Sequence, residues 1–301
     1  IRSTSTMPLF YDELYKPVKN VLNTGYNSTT KFTVKTSPNR DLKLEATAER
    51  KSDKAIDAAL KWTQSINANG IGYTVGGKLD VEGTVELNGS AKGVAQGLDL
   101  GADATIKTDR TSKDNKYGVN ATYRHNLVAI KAAVAKKQGS PYLLTTSAVS
   151  DYEGLSAGVE GELQVYPLPE KKDQILKKVN FGLRYSTPNF HVTSLIENLE
   201  NVKIGVAQTI SPKLTLAGEF SHNVKPDAET GNVKAPVWTF GGNYVVDADS
   251  SVSGKVNTAG VVNASYKLRV NPSVTATLSV ESNINKLAEP SKVGLSVDID
   301  A

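Results

Sequence analysis

Gly72-Tyr73-Thr74-Val75-Gly76-Gly77-Lys78 has the spacing of a phosphate-binding loop. That chemistry needs a Ser or Thr after the lysine for magnesium and a helix N-terminus to cradle phosphate. Here Leu79 follows Lys78 and an alternating strand continues, so the glycines are read as a tight hairpin at Gly76-Gly77. His125, His191 and His222 stand alone, without the HxxxH or HExxH spacing of a metal site, and are expected at rim or wall positions. Acidic residues are plentiful, but no two are set apart as an acid/base couple. Asn27, Asn88, Asn120 and Asn263 open glycosylation sequons, which matter only in a secreted chain. No catalytic constellation, metal site or cofactor site is expected, and the chain does not read as an enzyme.

The chain has 301 residues, no cysteine, and 35 basic against 31 acidic residues for a net charge of +4. That excess is too small and too scattered to suggest nucleic-acid binding. No cysteine means neither a disulfide framework nor a thiolate site. No run of about 18 apolar residues could form a transmembrane helix, which leaves open a membrane barrel of alternating strands. Met7 followed by Pro8 reads as a native start. Residues 1–6 are then expected to be a cloning remnant or the tail of a targeting peptide.

From Tyr26 onward the sequence alternates apolar and polar residues in segments of about 8 to 11, the length a tilted strand needs to cross a bilayer. Leu42, Leu44, Ala46 and Ala48 share one face, and Lys43, Glu45, Thr47 and Glu49 the other. Ala55–Thr63 would also suit a helix, but Ile56, Ala58, Leu60 and Trp62 alternate and make it a strand. Pro167–Lys177 and Asn223–Ala235 read as the longer loops, with Val179 opening a strand after the first. About 19 strands are expected over 27–301, with no composition break to mark a second domain. The apolar face of the clearest strands carries no charge. A lipid-facing Lys or Arg would cost roughly 2–4 kcal/mol at the bilayer midplane. The opposite face is wet and mixed in sign, and a soluble sandwich would share that division.

Residues 7–26 are the exception to the β pattern. Phe10, Leu14, Val18 and Leu22 recur every four residues along one side of a helix. Asp12 and Glu13 precede Lys16 and Lys19, the order a helix dipole favours. Pro17 is expected to kink the helix or divide it into two short turns, and Gly25 to end it and serve as a hinge.

Leu9-Phe10-Tyr11-x-Glu13-Leu14-x-Lys16, then Val21-Leu22-x-x-Gly25-Tyr26, resembles the N-terminal helix and barrel junction of the mitochondrial voltage-dependent anion channel, or eukaryotic porin, family. Lys292-x-Gly294-x-x-Val297-x-Ile299 is similar to the sorting signal that mitochondrial outer-membrane barrels carry in their last strand. The known odd-numbered barrel of this family has 19 strands, so the count belongs to the resemblance and is not separate support. Departures are Asn27 and Ser28 where hinge glycines often stand, Pro17 within the helix, and Asp99 in place of a lysine after Gly97-Leu98. The membrane-facing glutamate of some animal members has no counterpart in Gly70–Gly76.

The resemblance implies an all-β transmembrane barrel with the helix inside and the first and last strands parallel at closure. It implies a voltage-gated, weakly anion-selective pore of the mitochondrial outer membrane passing ions, phosphate, ADP and ATP. Lys16, Lys19, Lys43, Lys61, Arg124, Lys131, Arg184, Lys203, Lys267 and Arg269 are expected to line it and set selectivity. The helix line is expected against an inner-wall patch including Leu143 and Val149, acting as a constriction before a gate. Expected partners are the bilayer, anionic metabolites and nucleotides in transit, and further copies of itself or other outer-membrane proteins; nucleic acid is not among them. A pore subunit of the mitochondrial protein translocase is the alternative with the same fold, disfavoured by the short lead before the barrel. A bacterial porin would need a secretory signal and commonly ends in an aromatic residue. A soluble β-rich binding protein is the alternative of another class.

Overall fold

The computed structural model describes residues 7–50, 56–108, 114–167, 175–226, 233–286 and 288–301. The leader 1–6, Ala55, and the centres of the two long loops lie outside the described residues. A 3-10 turn (Tyr11–Glu13) and one α-helix, α1 (Lys16–Leu22), precede the strands. These are β1 (Thr30–Thr36), β2 (Leu42–Arg50), β3 (Ile56–Ala68), β4 (Ile71–Asp80), β5 (Thr84–Ala95), β6 (Leu98–Lys107) and β7 (Lys116–His125). Next come β8 (Val128–Lys137), β9 (Tyr142–Tyr152), β10 (Leu155–Tyr166), β11 (Leu176–Ser186), β12 (Phe190–Glu197) and β13 (Asn201–Ser211). The last six are β14 (Leu214–Asn223), β15 (Val237–Val245), β16 (Ser250–Asn257), β17 (Val261–Asn271), β18 (Val274–Asn283) and β19 (Lys292–Asp300).

All 19 strands form one sheet in sequence order. Consecutive strands are antiparallel hairpins, and β1 closes on β19 in parallel, with Phe32 opposite Val297 and Val34 opposite Ile299. An odd strand count forces that one parallel seam. Closure leaves no sheet edge with unpaired backbone groups in the hydrocarbon.

Period-two alternation sorts the side chains onto two surfaces. Leu60, Leu79, Val85 and Ile106 lie opposite one another in turn across β3 to β6 on the outer surface. On the inner surface of β2 to β5, Glu45, Lys61, Lys78 and Glu86 form a row of mixed sign, in which Lys78 pairs with Glu86 at 3.1 Å. Tyr117, Tyr142 and Trp238 stand outside at the mouth where β7, β9 and β15 begin, and Tyr123, Tyr152, Tyr185 and Tyr244 at the other. This is the pair of aromatic girdles that marks the two membrane–water interfaces. The molecule is a membrane-type β-barrel.

Two local expectations are corrected. Gly76 and Gly77 do not form a hairpin: β4 runs unbroken through them, and the turn follows at 81–83, where Gly83 adopts φ +78°. A Cβ at Gly77 would come within 2.7 Å of the Trp62 indole nitrogen on β3, so the glycine makes room for a neighbouring strand's ring. The strand total is unaffected because a strand lies on either side. The first long loop also ends sooner, with β11 starting at Leu176. A bulge after Glu162 lets Leu163 pair with Leu176.

Candidate functional site

The lumen is occupied by the N-terminal segment. Pro17 does not kink α1; it is the second residue of the helix, where a missing N–H has no intrahelical partner to lose. It does split the segment. A continuous helix would bond the Glu13 carbonyl to the N–H of residue 17, which proline lacks. The barrel wall supplies the replacement: Arg184 on β11 donates to the Glu13 carbonyl at 3.3 Å. Thr193 on β12 donates to the Leu14 carbonyl at 3.1 Å. The break between the 3-10 turn and α1 is therefore a docking point as well as a bend.

The apolar side of the segment packs in two clusters. Tyr11 and Leu14 meet Val149 and Leu195; Val18, Val21 and Leu22 meet Ala207 and Ala217. Leu14 and Val18 are fully buried, each worth about 1.5–3 kcal/mol against exposure to lumen water. Tyr15 touches both clusters. Phe10 is only partly buried, so the buried line runs through Tyr11, Leu14, Val18, Val21 and Leu22. Leu143 shares the inner face of β9 with Val149 but is not part of either cluster.

The seat is cut from small residues. A Cβ on Gly182 would sit 2.7 Å from Leu14, and one on Gly205 2.8 Å from Val18. One on Gly158 would sit 3.1 Å from Tyr11, and one on Gly241 2.9 Å from Leu22. Gly158 lies directly opposite Gly182, and Ala217 lies between Ala207 and Gly241. Gly and Ala thus line a trench on the inner face of β10, β11, β13, β14 and β15 beneath the segment, with Thr193 and Leu195 of β12 between them.

Charges pin its outer end. Glu13 pairs with Arg124 at 3.2 Å and Asp12 with Lys131 at 3.1 Å. Arg124 also lies 4.1 Å above the Phe10 ring, and the Tyr15 hydroxyl donates to Glu219 at 2.7 Å. At the inner end Gly25 adopts φ +90°, a conformation that suits glycine. Tyr26 is stacked by Lys255 at 4.7 Å. The Asn27 N–H donates to Ser279 Oγ at 3.2 Å, and Ser279 donates in turn to the Asn27 carbonyl. Just beyond Gly25 the expected hinge is held to the wall through Tyr26 and Asn27.

The residues picked out for selectivity divide into two groups. Arg124, Lys131 and Arg184 are engaged by the docked segment, and Lys203 is paired with Glu197 at 2.9 Å. Lys16 and Lys19 are exposed on the side of α1 away from the wall. Lys43, Lys61, Lys267 and Arg269 lie on the inner parity of their strands. None of these six has an ion pair among the described residues. Of the last-strand pattern, Lys292 and Gly294 lie on the inner parity and Val297 and Ile299 on the lipid side. Sequence reading missed Asp12 and Glu13 as anchors, because a helix dipole explained them equally well. It also missed the trench, whose signal is glycine at the inner parity of β10, β11, β13 and β15.

The eukaryotic porin family model matches residues 7–294. The chain belongs to the eukaryotic porin family. Its similarity to a voltage-dependent anion-selective channel of Drosophila melanogaster is 24% identity, over 98% of this chain and 99% of that one. Mitochondrial outer membrane protein porin 3 of Arabidopsis thaliana is 24% identical over 96% and 97% of the two chains. The non-selective voltage-gated ion channel VDAC3 of Homo sapiens is 24% identical over 97% and 98%. Among solved structures, a mutant Rh. blastica porin aligns at 12% identity and a TM-score of 0.45, covering 82% of this chain and 91% of that one. Family and fold together indicate a channel for ions and metabolites rather than an enzyme.

Proposed function

We propose that this barrel is a voltage-gated, weakly anion-selective diffusion pore of the mitochondrial outer membrane, passing ions and small anionic metabolites such as phosphate, ADP and ATP. The observation that carries the reading is the division of charge on the docked segment. Its two acids face wall cations that neutralise them, while Lys16 and Lys19 are exposed and have no ion pair among the described residues. The wall is otherwise of mixed sign, so the net bias toward anions is modest. Mitochondrial placement is supported by the Arabidopsis relative, a mitochondrial outer membrane porin by name, and by Lys292, Gly294, Val297 and Ile299 in the last strand. Voltage gating is supported by the fly and human relatives, which are named as voltage-dependent and voltage-gated channels. The test is planar-bilayer recording of the purified chain with a voltage ramp. Open channels that close at high voltage of either sign support the reading, and absence of conductance refutes it.

A further inference from the structure

Lys136 interrupts the apolar outer face of β8. Its neighbours across the sheet are Tyr117 on β7 and Tyr142 on β9, and Tyr142 in turn faces Tyr166 on β10. One cation thus sits within a row of three tyrosines at one mouth of the barrel, at the level of the aromatic girdle. The next outer row toward the membrane centre is wholly apolar: Val119, Val134, Leu144 and Leu163. Lys136 has no carboxylate partner among the described residues. Its Nζ lies 4.4 Å over the Tyr142 ring and 3.3 Å from the Tyr142 hydroxyl. Beyond it, the Asn115 side-chain amide donates to Gln138 at 3.0 Å. A groove of about 660 Å³ spans these levels, lined by Tyr117, Val119, Val134, Lys136, Gln138 and Tyr142.

We propose that this groove seats one anionic glycerophospholipid, its phosphate on Lys136 and the tyrosine hydroxyls and an acyl chain along Val119 and Val134. A lipid-facing lysine costs little at the interface. There its stem lies along apolar surface while the ammonium reaches the headgroup layer. The polar-over-apolar order of the two rows is that of a phospholipid, and the single unpaired cation selects a negative headgroup. Free phosphate would use the upper row alone and leave the apolar floor bare.

Native mass spectrometry of the full chain in detergent tests this, titrating dioleoylphosphatidylglycerol or zwitterionic dioleoylphosphatidylcholine. One lysine near a membrane surface is worth about fivefold in affinity for an anionic lipid. Lys136→Gln should therefore lose about that factor for the glycerol lipid and nothing for the choline lipid, and Lys136→Arg should retain it. Choline-lipid adducts on both forms report the barrel's general lipid binding, separately from the site. Single-channel conductance of Lys136→Gln should match the unaltered chain, because the side chain faces outward. Equal glycerol-lipid binding by the unaltered chain and Lys136→Gln would overturn the proposal. So would equal binding of the two lipids by the unaltered chain, or an altered conductance in the variant.

Discussion

Arg124 on β7 holds Glu13 of the N-terminal segment at 3.2 Å, and the same guanidinium covers the Phe10 ring. Both partners are about one-third exposed, so water screens the pair and its worth is about 1 kcal/mol. The pairing removes Arg124 from the free cations of the lumen. Arg124→Gln is expected to loosen the first turn while shifting the reversal potential only slightly. Trypsin cleavage after Lys19 should quicken about fivefold, in line with that energy. A large loss of anion preference in this variant would contradict the assignment of Arg124 to anchoring.

Gly182 tests the trench. Its missing Cβ leaves the space filled by Leu14, Leu195 and Tyr11, none of which can retreat in a packed cluster. Gly182→Val should destabilise docking by about 1–3 kcal/mol. The expected result is a less narrowed lumen, read as a higher open-state conductance, with an intact barrel by circular dichroism. Gly89, which has nothing within reach of an added Cβ, supplies the control in Gly89→Val.

Tyr11 and Tyr15 separate hydrogen bonding from packing. The Tyr15 hydroxyl donates to Glu219, whereas the buried Tyr11 hydroxyl has no partner among the described residues. Tyr15→Phe should weaken docking by about 1.5 kcal/mol, the lower end for a bond to a charged acceptor. Tyr11→Phe should leave docking unchanged or tighter. Cleavage rates after Lys19 report both, rising roughly tenfold in the first variant and not in the second.

Much of this was legible in the sequence, and the failures have specific causes. Alternation gave the strands, because a period of two cannot place Leu42, Leu44, Ala46 and Ala48 anywhere but on one face. It placed the strand joint wrongly at Gly76-Gly77, since a glycine that opens a turn and one that yields to Trp62 look identical in one dimension. The four-residue spacing found Leu14, Val18 and Leu22. Tyr11 and Val21 needed the bend created by Pro17, and that bend depends on Arg184 and Thr193, residues more than 150 positions away. Parity alone assigned the wall lysines to the lumen, but which cations are already paired is set by tertiary contact.

Gly294 carries a role beyond any sorting function. A Cβ there would overlap the Asn27 carbonyl and stand 3.0 Å from Ser279 Oγ, so the last strand leaves room for the junction to cross it. Gly294→Ala, refolded in detergent so that cellular sorting plays no part, should displace the junction and weaken docking by about 1–3 kcal/mol. Ser279→Ala should act in the same direction by about 1 kcal/mol. A shifted voltage of half-closure in both variants is the expected readout; unchanged gating in both would remove the clamp from the account.

The central claim is that unpaired lysines on a docked helix bias an otherwise balanced lumen toward anions. The most direct measurement is the single-channel reversal potential across a KCl gradient, for the unaltered chain and for Lys16→Glu combined with Lys19→Glu. The account predicts a modest chloride preference in the unaltered chain and a shift to potassium in the double variant, with the barrel still open at low voltage. An unchanged anion preference after both substitutions would contradict it.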